Sequence, residues 1–187
     1  GSYDPLFSMI KSIETYYKGY LCRSRTEARW MVAFDKVEIK YEYELEGFDL
    51  KGVGKYLPDF YLPQVDMYAE VKGRPFNIEE LKKAKALALE SKKVVLLLDG
   101  APARKAYWGI HSDEYCTNVK FKDETFCVTD YDIFEGSNYW LDEKRFFSNT
   151  GCGTESFPLS HDNGHSDESD SIAVRASRSA RFEHHRP

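Results

Sequence analysis

Apolar and polar residues change period repeatedly along the first hundred residues, and each change marks an element. Leu6, Phe7, Met9, Ile10, Ile13 and Tyr17 recur at helical spacing, which predicts a first helix over about residues 5–17, broken by Gly19. Ser24-Arg25-Thr26-Glu27 has the form of a capping box, a hydroxyl followed three residues on by a carboxylate, and predicts a second helix from near Ser24. On that helix Glu27, Trp30, Met31 and Phe34 fall on one stripe. From Val37 to Glu46 apolar and charged residues alternate without a break, the pattern of a half-buried strand. Gly47 to Gly54 reads as a turn region.

Two further strands follow, one beginning near Asp59 and one carrying Glu70 and Lys72, joined through Pro63-Gln64-Val65-Asp66. Asn77 caps a third predicted helix, Ile78 to Glu90, rich in strong helix formers. Val94 to Leu98 is short and wholly apolar, as in a central strand covered on both faces. The order helix, strand, strand, strand, helix, strand predicts an α/β fold. Its mixed sheet has about four to five strands flanked by helices, and its last strand is reached through a crossover helix.

After Ala101 the pattern weakens. Val119-Lys-Phe-Lys and Thr125-Phe-Cys-Val, hinged at Asp123-Glu124, predict a hairpin, and Tyr139, Trp140, Leu141, Phe146 and Phe147 are expected to close the core. This makes one domain over residues 1–147, with a motif-bearing core at about 20–100 and an accessory part at 101–147. Residues 148–171, rich in Gly, Ser, Asp, Asn and His, read as a flexible linker. Residues 172–187 read as a basic tail or short helix carrying Arg175, Arg178 and Arg181.

Composition narrows the class. No apolar run approaches the roughly 20 residues that span a bilayer, no signal peptide is recognised, and Gly1-Ser2 reads as a cloning remnant. A cytoplasmic protein without a membrane partner is therefore expected. The net charge of −5 argues against a protein that coats nucleic acid through bulk charge, but a carboxylate cluster awaiting its cation is acidic too. Cys22, Cys116, Cys127 and Cys152 are scattered without a C-x-x-C pair, and free, mostly buried thiols are expected. His161 and His165 near Cys152 lack the second paired ligand of a zinc site, and the terminal His184-His185 reads as tail or adventitious metal binder.

The chemistry concentrates between Tyr56 and Gly73. Alternation along a strand puts Glu70 and Lys72 on one face and Ala69 and Val71 on the other. Two carboxylates and an ammonium beside each other suit a divalent-metal site acting on a phosphodiester. Asp59 and Glu70 would hold the ion, and Lys72 would orient the water or offset developing charge. Lys72 forming a plain ion pair with Glu70 is compatible with that role. Glu27 is either a returning cap or, as a carboxylate on a buried stripe, a ligand directly or through water. Arg23, Arg25 and Arg29, then Lys82, Lys83 and Lys85, are the candidate basic surfaces. Of these Arg23, Arg25, Lys82 and Lys85 are singled out as nucleic-acid contacts, with solvated helix faces and pairing to Glu79 and Glu80 as the plainer alternative.

These residues together resemble the PD-(D/E)XK nuclease superfamily, which has the restriction-endonuclease-like fold. The resemblance rests on Pro58-Asp59, on Glu70-Val71-Lys72, and on Glu27 as the acid of the preceding helix. Arg23-Ser24-Arg25-Thr26-Glu27, Tyr56-Leu57-Pro58-Asp59-Phe60-Tyr61-Leu62-Pro63 and Tyr68-Ala69-Glu70-Val71-Lys72-Gly73 are most similar to the phage junction-resolving endonucleases, over about residues 20–100. The tail resembles the ends of phage and prophage proteins. The resemblance implies a Mg²⁺- or Mn²⁺-dependent endonuclease that hydrolyses DNA. Asp59, Glu70 and the Val71 carbonyl would be ligands, Glu27 would assist, and Lys72 would be catalytic. Branched-DNA specificity and an intertwined dimer are not carried over, because the chain is acidic and the region after Ala101 has no counterpart. Monomer and homodimer both stay open. Two alternatives stand beside this reading: a nuclease-derived module that binds nucleic acid or protein without cutting, and an RNA-directed or defence nuclease.

Overall fold

A computed structural model of the chain describes residues 12–103, 105–112, 117–133, 147–149 and 172–182. The expectations for Tyr139, Trp140, Leu141, Phe146, Cys116, Cys152, His161, His165, His184 and His185 lie outside these residues.

The chain is mixed α/β. A small hairpin, β1 (Thr15–Tyr17) and β2 (Tyr20–Cys22), precedes helix α1 (Arg25–Lys36). Strand β3 (Glu42–Tyr43) leads to a second small hairpin, β4 (Phe48–Leu50) and β5 (Gly54–Tyr56), and then to β6 (Phe60–Leu62) and β7 (Met67–Lys72). Helix α2 (Ile78–Ser91) crosses over to β8 (Val95–Asp99), followed by β9 (Ala106–Ile110), β10 (Thr117–Phe121), β11 (Glu124–Asp132), β12 (Phe147–Asn149) and α3 (Ile172–Ser179).

The main sheet runs β10-β11-β9-β8-β7-β6-β3, with β12 also paired to β11. Among the described residues only β7 and β8 are parallel, as the intervening helix requires; the other pairs are antiparallel. The sheet is thus larger than the expected four to five strands. Val95 to Leu98 in β8 are buried between β7 and β9, as their apolar run predicts. The two faces carry separate cores. Ala69, Val71, Leu96 and Leu98 pack with Trp30, Met31 and Phe34 of α1. Tyr68, Val95 and Leu97 pack with Leu81, Ala84 and Leu87 of α2.

Both helix starts lie where predicted. Ser24 accepts the Glu27 N–H at 3.2 Å, but the Glu27 carboxylate takes the Ser24 hydroxyl rather than its N–H, so that box is not reciprocal. Asn77 and Glu80 make a reciprocal capping box. The hinge of the β10–β11 hairpin lies at Lys122-Asp123, one residue before the expected position.

Several expectations are corrected. The predicted first helix does not reach Tyr17: Thr15–Tyr17 is a strand, turned back through Lys18 (φ 47°) and Gly19 (φ 83°). A two-residue hairpin turn with both φ positive matches strand twist, and the apolar spacing here serves a strand as well as a helix. The alternation from Val37 to Glu46 holds in burial only as far as Tyr43, since Leu45 is 49 % exposed while Glu44 is half-buried, and regular pairing is confined to Glu42–Tyr43. Gly47 to Gly54 is not only turn, since β4 and β5 form there. Strand β9 falls where the pattern was weak; a side chain at Gly109 would meet Tyr131 at 2.5 Å and Val94 at 2.7 Å, so only glycine fits that crossing. Ser148 and Asn149, expected as linker, pair with Tyr131 and Asp130.

Of the cysteines, Cys22 is a free, buried thiol pushed up to about 12 by burial and then by Glu27, whereas Cys127 is disulfide-bonded, contrary to the expected free thiols. Cysteine spacing does not reveal which thiols the fold brings together. Among the described residues no helix is long and apolar enough to cross a membrane.

The short basic helix predicted near the C-terminus forms as α3 and packs on α1 through Ala173 and Val174. Arg29 of α1 donates to the carbonyls of Ser177 and Arg178, at 2.6 and 2.9 Å, where the unpaired carbonyls of a helix end favour a cation.

Candidate active site

The β6–β7 ladder stops just short of the acidic residues. Phe60 pairs with Ala69, and beyond that pair come Asp59 and Pro58 on one side, Glu70 and Val71 on the other. Proline has no N–H with which to extend the ladder. The Val71 N–H is taken instead by the side chain of Asp59, whose Oδ2 accepts it at 2.8 Å.

Neighbouring elements are tied to this open end. The Gly100 N–H donates to the Lys72 carbonyl at 2.7 Å, and the Trp30 indole donates to the Gly100 carbonyl at 3.0 Å. The end of β7, the end of β8 and helix α1 are thereby held together. Gly73 lies where an added Cβ would sit 3.5 Å from Thr26 Oγ1, so the first turn of α1 abuts the end of β7.

Asp59, Glu70 and Glu27 are 3 %, 4 % and 5 % exposed, and carboxylates that deep need partners. Asp59 uses Oδ2 for Val71 and Oδ1 for the Arg23 guanidinium, at 2.6 Å. Glu70 accepts a short hydrogen bond from the Tyr56 hydroxyl at Oε1 and lies in hydrogen-bonding contact with Asp59. Burial first, and the charge of Asp59 second, push the Glu70 carboxyl well above the usual carboxylate range. Glu27 accepts from the Ser24 hydroxyl at 2.8 Å, the Tyr43 hydroxyl at 2.6 Å and the Arg23 N–H at 3.1 Å. It too is raised, by burial and then by Asp59.

Glu27 serves the helix start through Ser24, and its charge also interacts with that of Asp59. Glu27 comes from the α1 layer and Glu70 stands on the strand face that packs toward α2, with Asp59 between them at the open end. Among the described residues no three acidic, imidazole or thiol side chains converge closely enough to form a metal-ligand group. The close pair is Asp59 and Glu70, and Glu27 interacts with Asp59 through its charge.

Lys72 lies on the Glu70 face and makes no ion pair among the described residues, so the simple pair with Glu70 is not formed. It still favours the charged form of Glu70 through space.

Three participants escaped the sequence reading. Tyr43 and Tyr56 are pushed above the ordinary tyrosine range chiefly by burial, so they remain protonated donors to Glu27 and Glu70. Glu44 approaches Arg23, with Oε1 at 2.7 Å from Nε, but the angle is not that of a hydrogen bond, and this buried oxygen has no donor. Its backbone is left-handed (φ 48°) and its N–H donates to the Asp59 carbonyl at 2.9 Å. The Y-x-P-D spacing could have flagged Tyr56. Glu44 sits in the alternating stretch and carries no local signal.

Of the candidate nucleic-acid contacts, only Arg23 joins the acidic group. Arg25 has no ion pair among the described residues. Lys82 pairs with Glu79 at 3.7 Å, and Lys85 turns to β11, donating to the Thr125 carbonyl at 3.0 Å beside Glu124. No protein-family model, curated protein or solved structure matches the chain significantly.

Proposed function

We propose that this chain is a metal-dependent nuclease of the PD-(D/E)XK type that hydrolyses phosphodiester bonds of DNA, acting as an endonuclease. The observation that carries the reading is the Asp59–Glu70 pair: two buried carboxylates in contact, beside a lysine with no ion-pair partner among the described residues. Buried anions this close favour a bound cation or a shared proton, and burial with the Asp59 charge shifts Glu70 toward its protonated form. The donors are all oxygen, which suits Mg²⁺ or Mn²⁺, and one or two carboxylates with waters satisfy such an ion.

In this reading Asp59 and Glu70 bind the ion, and the Val71 carbonyl is a further ligand. Bound there, the ion supplies Lewis-acid polarisation of the phosphate and a more acidic water. The Val71 N–H and the Tyr56 hydroxyl orient the two carboxylates, which a positioned site requires. Glu27, oriented by Tyr43, holds a water on the α1 side. The Lys72 ammonium orients the attacking water and offsets charge on the phosphorane-like transition state.

Incubation of wild type and Asp59→Asn with circular single-stranded DNA, circular duplex DNA, branched DNA and RNA, with Mn²⁺, tests this. Nicking of circular DNA by wild type alone is expected. Cleavage confined to RNA would favour an RNA-directed nuclease. A mobility shift with no nicking in Mg²⁺ or Mn²⁺ would favour the binding module.

A further inference from the structure

Arg23 closes the buried acidic pair from the solvent side. Its backbone is fixed: the N–H points at Glu27 Oε2 and the Tyr43 hydroxyl, both at 3.1 Å. Its side chain reaches from the end of β2 to Asp59, with Nη2 2.6 Å from Oδ1. The guanidinium side chain is 55 % exposed, while that of Asp59 is 4 % exposed, so the arginine lies between the carboxylate and water. Oδ2 of Asp59 is committed to the Val71 N–H. Oδ1 is then the oxygen that a cation from solvent would meet, and Arg23 occupies it.

Mg²⁺ coordinates a carboxylate oxygen at roughly 2.0–2.1 Å, closer than the guanidinium now stands at 2.6 Å. Two cations on one carboxylate oxygen repel strongly in a site shielded from water. Arg23 and the ion are therefore alternatives at Asp59. The second contact of Arg23 says where it would go. Glu44 Oε1 is buried and lacks a donor, because the guanidinium straddles two carboxylates and aligns with only one. Freed from Asp59, the guanidinium can align with Glu44 and turn its remaining N–H groups outward, where a phosphate would arrive. A planar fork with several donors suits phosphate better than a lysine does.

We propose that Arg23 is an exchangeable counter-charge: it neutralises Asp59 while the metal is absent, is displaced by the divalent ion, and pivots on Glu44 to contact a phosphate of the substrate. This rests on the metal-site reading of Asp59 and Glu70.

The test is a titration of the full chain with Mn²⁺ alone, followed by electron paramagnetic resonance, for wild type, Arg23→Gln, Arg23→Lys, Glu44→Gln and Asp59→Asn, with circular dichroism to check folding. Removing the competing charge in Arg23→Gln should tighten Mn²⁺ binding by at least about threefold, the order expected for one lost ion pair. Arg23→Lys, too short to span both carboxylates, should fall between. A residue of merely structural role would weaken the metal site when removed, not strengthen it.

In Ca²⁺, binding of a labelled oligonucleotide should weaken in Arg23→Gln, and the slope of log affinity against log salt should fall by about one phosphate contact. Glu44→Gln should weaken the oligonucleotide without tightening Mn²⁺ as Arg23→Gln does. Equal or weaker Mn²⁺ binding by a folded Arg23→Gln, with wild type binding and Asp59→Asn not, would overturn the exchange and leave the metal site standing. Absence of Mn²⁺ binding by wild type and Arg23→Gln alike would overturn both.

Discussion

The Tyr56 hydroxyl donates to Oε1 of Glu70, the carboxyl that sits against Asp59. A phenol from the second small hairpin thus orients a carboxylate on the central sheet. Burial and then the Glu70 charge push that phenol well above the ordinary tyrosine range, so it stays a protonated donor. Tyr56→Phe should keep its ring packing and lose the orientation of Glu70. Nicking is expected to fall by about tenfold or more through kcat, with a stability loss of about 1 kcal/mol. Single-turnover kinetics and chemical denaturation, side by side, separate the two effects.

Glu70 should stabilise catalysis at the expense of the fold. Its folded pKa lies above its unfolded one, so the native state holds more protons, and stability falls as pH rises from the ordinary carboxylate range toward the raised folded value. Glu70→Gln removes that dependence. In chelator at neutral pH it should melt several degrees above wild type, a gain on the order of 1–2 kcal/mol. Mn²⁺ should raise the melting temperature of wild type and leave Glu70→Gln nearly unmoved. A lower melting temperature for the variant in chelator would contradict this account of the pair.

Lys72 has no ion pair among the described residues that its removal would break. Lys72→Ala is therefore expected to lower cleavage by a factor of about a hundred or more with a melting temperature close to wild type. Retained activity in a plasmid-nicking assay would remove Lys72 from the chemistry.

Away from the site, Glu80 closes the capping box of α2 and pairs with Arg74 at 2.8 Å. Its carboxyl is lowered overall, by the bonds and charge that Arg74 and Asn77 supply against the cost of burial. Its contribution is present above the unfolded carboxylate pKa and is lost as pH falls through the lower folded value. Glu80→Ala should cost about 1 kcal/mol at neutral pH, mostly through the cap, since the Arg74 side chain is 58 % exposed and the pair is screened. Glu80→Gln keeps the cap and should show a flatter stability profile below neutral pH in urea titrations.

Legibility in the sequence followed the range of the interactions. Elements built by local rules were readable: α1 from Ser24 and Glu27, α2 from Asn77 and Glu80, β8 from its apolar run. Strand β9 was not readable, because Ala106-Tyr-Trp-Gly-Ile becomes a strand through its buried position between β8 and β11. Thr15–Tyr17, just before Gly19, misled for a related reason. A few apolar residues satisfy two periods, and the turn at Lys18-Gly19 decided between them.

The same division runs through the site. By itself the sequence determined which groups could do chemistry: Asp59 after a proline, Glu70 and Lys72 on one strand face, Glu27 on a buried stripe. Strand alternation and helix periodicity are local geometry, and they carry that much. Only the tertiary structure decided that Asp59 and Glu70 touch, that Tyr43 orients Glu27 and Tyr56 orients Glu70, and that Arg23 spans Asp59 and Glu44. Those contacts join residues up to 36 positions apart. They depend on where a ladder ends and how two layers meet it, which no local pattern encodes.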